Sequence, residues 1–152
     1  MKGAKTILPA VALLVAVVAT PAFGKDYTHS TPGISGYDPI SYFTEATPQR
    51  GSGFHVADHK GVTYAFASEE HKELFEGNPE KYVPGYGGYC AYGLAVGKKL
   101  VADPEVWKIV NGKLYLNVDR NIQAKWTQDI PGHIKTADAN WVEIQDKAPS
   151  DL

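Results

Sequence analysis

Phe54-His55-Val56-Ala57-Asp58-His59-Lys60-Gly61-Val62-Thr63-Tyr64-Ala65-Phe66-Ala67-Ser68-Glu69-Glu70 sets the architecture of this chain. Phe54 to Asp58 and Val62 to Ala67 are apolar-alternating runs on either side of His59-Lys60-Gly61, the pattern of a β-hairpin. On the second run Val62, Tyr64 and Phe66 share one face, because side chains alternate along a strand. Ser68 then has the chemistry of a helix N-cap, and Glu69 and Glu70 in the first turn suit the helix dipole. Leu74 and Phe75 are predicted to form the buried stripe. Gly77-Asn78-Pro79 ends the helix, and a second short helix is predicted from Pro79 to Tyr82.

Upstream, residues 25–36 are polar and rich in Gly, Ser, Thr and Pro, which predicts a flexible lead. Gly36-Tyr37-Asp38-Pro39 opens a compact aromatic segment, Ile40-Ser41-Tyr42-Phe43, expected as a short helical turn. Downstream, a helical turn is expected near Cys90 to Leu94. Val106 to Val110 and Lys113 to Asn117 form a second hairpin around Asn111-Gly112, the preferred pair for a type I′ turn. Asp119 is placed to cap a helix running through Gln128, with Ile122 and Trp126 on one face. Pro131 starts a last helix through Trp141, and the tail from Lys147 is expected to fray. Together these elements predict a small single α+β domain, with two β-hairpins and several short helices, over residues 37–146. The lead 25–36 and the tail 147–152 flank it. No internal repeat or low-complexity tract is visible.

The first 24 residues read as a secretory signal peptide. Lys2 and Lys5 precede an apolar run from Ile7 to Val18, and Ala22-Phe23-Gly24 fits a small-residue cleavage site. The run is short for a membrane span, so no stable insertion is expected after its removal. An exported protein, periplasmic or secreted, is the expectation. Cleavage after Gly24 leaves 128 of the 152 residues and takes two lysines and no acid from a chain of formal charge −2, leaving −4. That balance, with no basic run, carries no electrostatic footprint for nucleic acid. The single cysteine, Cys90, excludes an internal disulfide, so the fold must stand on its packing.

The junction Gly61-Val62-Thr63-Tyr64-Ala65-Phe66-Ala67-Ser68, the Asp38-Pro39 pair, and Phe75 followed by Asn78-Pro79-Glu80-Lys81-Tyr82 together resemble the YHS domain family, over about residues 36–83. Tyr86 through Trp141 is similar to a secreted subgroup that carries Gly-Gly-Tyr-Cys-Ala-Tyr-Gly, here Gly87 to Gly93. The resemblance implies a small α+β domain associated with handling soft metals such as copper. It also implies cysteines that this chain lacks: Ser41, Ala67 and His71 stand near the positions where the family's thiols are expected. Of these, His71 alone keeps ligand chemistry.

Chemistry concentrates at Tyr82-Val83-Pro84-Gly85-Tyr86-Gly87-Gly88-Tyr89-Cys90-Ala91-Tyr92-Gly93, where four tyrosines and four glycines surround the one thiol. A lone thiol is a buried small hydrophobe, a metal ligand or a redox centre. As a ligand it needs nitrogen or sulfur partners. His55 and His59 are four residues apart, about 13 Å along a strand and too far for one ion. On the family register, Cys90 with His71 is the expected pair, with His133 or Asp38 as further ligands. Thiolate with imidazole suits Cu(I), so the chain is expected to act as a copper-binding or delivery module, working with a metal-handling protein partner, and not as an enzyme. Two alternatives stand beside it. One is a non-metal interaction domain, in which Cys90 is a structural core residue and the Tyr/Gly loop contacts a partner protein, since tyrosine anchors interfaces. The other is a thiol-dependent enzyme, for which no nucleophile signature and no acid orienting a histidine is evident in the sequence.

Overall fold

The computed structural model describes Gly3 and residues 33–152. The predicted signal peptide, apart from Gly3, and most of the polar lead lie outside the described residues. The fold is α+β, with two separate two-stranded antiparallel sheets and short helices. In chain order the elements are α1 (Ser41–Thr44), β1 (Ser52–His59), β2 (Val62–Phe66), α2 (Glu69–Gly77), α3 (Pro79–Tyr82), α4 (Ala91–Ala95), β3 (Asp103–Val110), β4 (Lys113–Asn117), α5 (Arg120–Trp126) and α6 (Ile130–Ile144). Among the described residues no helix is long and apolar enough to cross a membrane.

Both hairpins turn through two residues with positive φ. Lys60 and Gly61 (φ 49° and 78°) join β1 to β2, and Asn111 and Gly112 (φ 51° and 77°) join β3 to β4. That backbone matches the right-handed twist of the flanking strands. Ser68 caps α2 by accepting from the His71 amide, and Asp119 caps α5 by accepting from the Ile122 amide. α5 ends at Trp126, and a 3₁₀ turn carries the chain into α6, which extends to Ile144.

Strand alternation divides the interior. Trp107 and Ile109 pair with Leu116 and Leu114 and face a first core, which holds Ile40, Tyr42, Tyr64, Phe66, Phe75 and Cys90. Tyr115, on the other face of β4, belongs to a second core with Tyr86, Leu94, Trp126 and Ala137. β4 is therefore the wall between the two cores.

Two expectations need correction. Leu74 is 42% exposed, whereas Phe75 is fully buried against Tyr64 and Phe66. The two residues are about 100° apart around the helix, and Phe75 is the apolar side chain that α2 buries. Ile34, in the segment read as a flexible lead, is buried, and the Gly33–Gly36 turn packs along β2.

The buried tyrosines make the fold sensitive to alkali. Burial pushes the Tyr64 phenol up to about 12 and raises those of Tyr42 and Tyr115. A phenol whose folded pKa lies above its unfolded value of about 10 leaves stability intact below that pH. Stability is then lost as pH rises toward the folded value. Denaturant unfolding should show a free energy that is flat up to about pH 10 and then falls, by about 3 kcal/mol from Tyr64 alone once pH exceeds its folded value. Phenolate absorbance in which every tyrosine titrates with a midpoint near pH 10 in protein that is still folded would contradict this burial.

Candidate functional site

Cys90 closes a tight backbone corner. It bridges Leu116 of β4, its amide bonds to the Leu100 carbonyl, and it stands at the N-cap of α4. The residue is fully buried. Its sulfur accepts from the Gly93 amide at 3.3 Å and donates to Asn117 Oδ1 at 3.6 Å. Asn117 Oδ1 also accepts from the Tyr92 amide. The thiol thus acts as a capping group between α4 and the end of β4. Two buried donors nearby in the fold, Asn117 Nδ2 and Trp126 Nε1, have no hydrogen-bond partner among the described residues.

The other predicted ligands fall into separate places. His71 and Asp38 are brought together, with Nδ1 2.6 Å from Asp38 Oδ2. Nε2 of the same ring lies 3.2 Å from Glu45 Oε1. Both ring nitrogens thus face carboxylate oxygens and neither faces the sulfur of Cys90. Asp38, fully buried, also accepts from the amides of Ile40 and Ala67, so it ties α1, the end of β2 and α2 into one knot. An acid does orient a histidine here, but in a structural network. His133 lies on α6, with Nδ1 2.9 Å from the Trp126 carbonyl and its ring edge-on to Tyr92. His55 and His59 each pair with a helix carboxylate, Glu69 and Glu80. Among the described residues no group of three or more His, Cys, Asp or Glu side chains is arranged to hold a metal ion.

Other residues of the Tyr/Gly segment line a cleft. Residues 83–87 and Tyr89 form one wall of an open cleft of about 590 Å³. His59, Lys60, Val62 and Tyr64 from the first hairpin, Lys113 and Tyr115 from the second, and Asp138 and Trp141 from α6 complete it. The size is that of a ligand site. The backbone comes close at Gly85, where a Cβ would sit 2.7 Å from the Tyr115 ring, so only glycine lets the segment lie flat on β4.

Tyr86 adopts a positive φ of 56°, a costly conformation for a bulky side chain. It is held there from both ends of the ring. The ring packs against Tyr115 and Trp141, and its hydroxyl donates to Asp138 Oδ1 at 2.9 Å. Burial, followed by that hydrogen bond, pushes its pKa well above the usual phenol value. Over-determined strain of this kind concentrates where a backbone must present a surface.

The cleft has distinct ends. At the hairpin end, Lys113 Nζ donates to the Glu80 carbonyl at 3.2 Å, while the Glu80 carboxylate is shared between Lys60 and His59. Those hydrogen bonds hold Glu80 below the usual carboxylate range. Burial lowers the Lys113 pKa, only partly offset by Glu80. At the α6 end, Lys99 is buried and donates to the carbonyls of Gln145 and Lys147, with Tyr89 and Trp141 rings beside it. A shallower groove of about 410 Å³ over Val110, Ile130 and Ile134 adjoins the cleft and shares Asp138 with it.

No protein family, no curated protein and no solved structure matches this chain. The cleft residues outside the Tyr/Gly run escape sequence reasoning because they come from elements far apart in the chain. One signal was present for Lys113 and Tyr115: the Asn111-Gly112 turn fixes which face of β4 they share. Nothing local marks Asp138 or Trp141 as neighbours of Tyr86.

Proposed function

We propose that this chain is an exported binding module, not an enzyme, that receives a segment of a partner protein in the cleft walled by the Tyr/Gly loop. Cys90 serves as a structural core residue behind that wall. The observation that supports this most is the strained Tyr86, whose buried ring is clamped by Tyr115, Trp141 and Asp138 and so pins the loop, with the half-exposed Tyr89 and Trp141, along one wall of an open cleft. Tyrosine and tryptophan supply large contact area with little loss of side-chain entropy.

Copper carriage by Cys90 and His71, implied by the resemblance to YHS domains, asks more of this fold. The sulfur would have to leave a fully buried site and give up its bonds to Gly93 and Asn117. His71 would have to turn away from two carboxylates. Leaving their former partners unpaired in the interior is costly.

The test is selection of displayed random peptides on the purified protein, followed by affinity measurement. Peptides so obtained should bind Cys90→Ser within about twofold of the parent and bind Trp141→Ala about tenfold or more weakly, the range of an interface aromatic anchor. Circular dichroism of both variants separates loss of binding from loss of fold. Binding that ignores Trp141→Ala, or that requires added Cu(I) and fails in Cys90→Ser, would overturn the proposal.

A further inference from the structure

The hairpin end of the cleft gathers hydrogen-bond donors that the protein itself does not use. The Lys113 ammonium is half-buried and spends one N–H on the Glu80 carbonyl. An ammonium carries three donors. Lys60 stands beside it at the tip of the first hairpin, and its ion pair with Glu80 is shared with His59. The hydroxyls of Tyr64 and Tyr115 belong to the same cleft and make no hydrogen bond among the described residues. The one carboxylate at this end, Glu80, is therefore already committed. Asp138 holds Tyr86, and Asp146 lies at the far end beside Gln145.

We infer that this end captures the C-terminal carboxylate of a partner polypeptide, with Lys113 as its anchor and the apolar last side chain lying on the half-buried Val62 and Val83. The inference rests on the docking proposal above and names its ligand chemistry. A terminal carboxylate brings two acceptor oxygens to a site with spare donors, and charge-assisted hydrogen bonds to an ammonium are the stronger kind. An apolar terminal residue covers these two valines with the same residue that carries the carboxylate. The groove over Ile130 and Ile134 borders the cleft at Asp138, which gives the upstream residues of an extended segment apolar surface along α6. Burial disfavours the Lys113 charge, chiefly by desolvation and further by Lys60. The charge of an anion placed there offsets that penalty, as Glu80 already does in part.

Three capped peptides test this by NMR titration of the labelled protein: acetyl-Ala-Ala-Phe with a free carboxylate, the same peptide as its C-terminal amide, and acetyl-Ala-Glu-Phe as its amide. The free acid should bind about tenfold or more tightly than either amide, a difference typical of one charge-assisted contact. Lys113→Gln should abolish that preference, and Lys113→Arg, which keeps the charge, should retain most of it. Shifts should fall on Tyr64, Lys113 and Tyr115. Acid and plain amide binding equally at the cleft would overturn the carboxylate assignment while leaving partner docking intact. Equal binding by the acid and the Glu-containing amide would overturn the terminal source. No cleft shift with any of the three peptides overturns the inference. The displayed-peptide selection then decides separately whether the cleft docks anything.

Discussion

Asp38→Ala should lower the unfolding free energy by about 3–5 kcal/mol, because it leaves several buried hydrogen-bonding groups unpaired at about 1–3 kcal/mol each. The carboxylate is fully buried, and each oxygen is engaged. Oδ1 accepts from the Ile40 amide, and Oδ2 from the Ala67 amide and the His71 ring. Its loss strands two backbone donors and an imidazole in the interior at once, and buried unpaired donors are expensive. The neighbouring Ser41 hydroxyl, which donates to the Asp38 carbonyl and accepts from the Gln49 amide, cannot reach those groups in its place. His71→Ala should cost clearly less, because Asp38 keeps both of its amide donors in that variant. Urea unfolding of the two proteins makes the comparison. Asp38→Ala within about 1 kcal/mol of the parent, or His71→Ala as damaging as Asp38→Ala, would show that the knot is not held by the carboxylate.

Trp126→Ala should be comparably severe, about 3–5 kcal/mol, as for other buried aromatic deletions. Trp126 is fully buried at the end of α5 and packs on Tyr115, with ring centroids 5.6 Å apart. It fills the second core beneath the cleft, so a cavity there also loosens the Tyr115 and Tyr86 wall. Trp126→Phe discriminates packing from hydrogen bonding. The indole Nε1 has no partner among the described residues, so replacing it removes an unpaired donor and most of the ring contact survives. The Phe variant should lose less than about half of what the Ala variant loses. Equal losses would mean that the indole nitrogen, not the ring volume, matters.

Local chemistry made the hairpins readable. Asn111-Gly112 demands a turn of one type, and Ser68 with Glu69 and Glu70 marks a helix start whatever surrounds it. Burial was less readable. Leu74 and Phe75 are adjacent and both apolar, yet only tertiary packing decides which of them α2 turns inward. Phe54 is 93% exposed because the pairing of β1 with β2 shifts between Ser52 and Val56, and that irregularity breaks the alternation that would otherwise assign its face. For the candidate site, the Tyr/Gly run marked a segment that lines the cleft, while its chemistry pointed to the thiol. Cys90 faces inward to Gly93 and Asn117, whereas Tyr86 and Gly87 face the cleft. The partner of His71 was half visible: Asp38 stood among the candidate ligands, but Glu45 did not, and nothing in their spacing distinguishes a structural knot from a metal site.

Cys90 is fully buried, whereas residues 83–87 and Tyr89 line the cleft proposed for docking. Amide chemical-shift mapping in a single labelled sample, first with a selected peptide and then with Cu(I), tests that division most directly. Peptide-induced shifts should cluster at residues 84–87, 113–115 and 138–141, and Cu(I) should leave Cys90, Gly93 and His71 unmoved. Shifts centred on Cys90 and His71 with the metal, together with a silent cleft, would contradict the account.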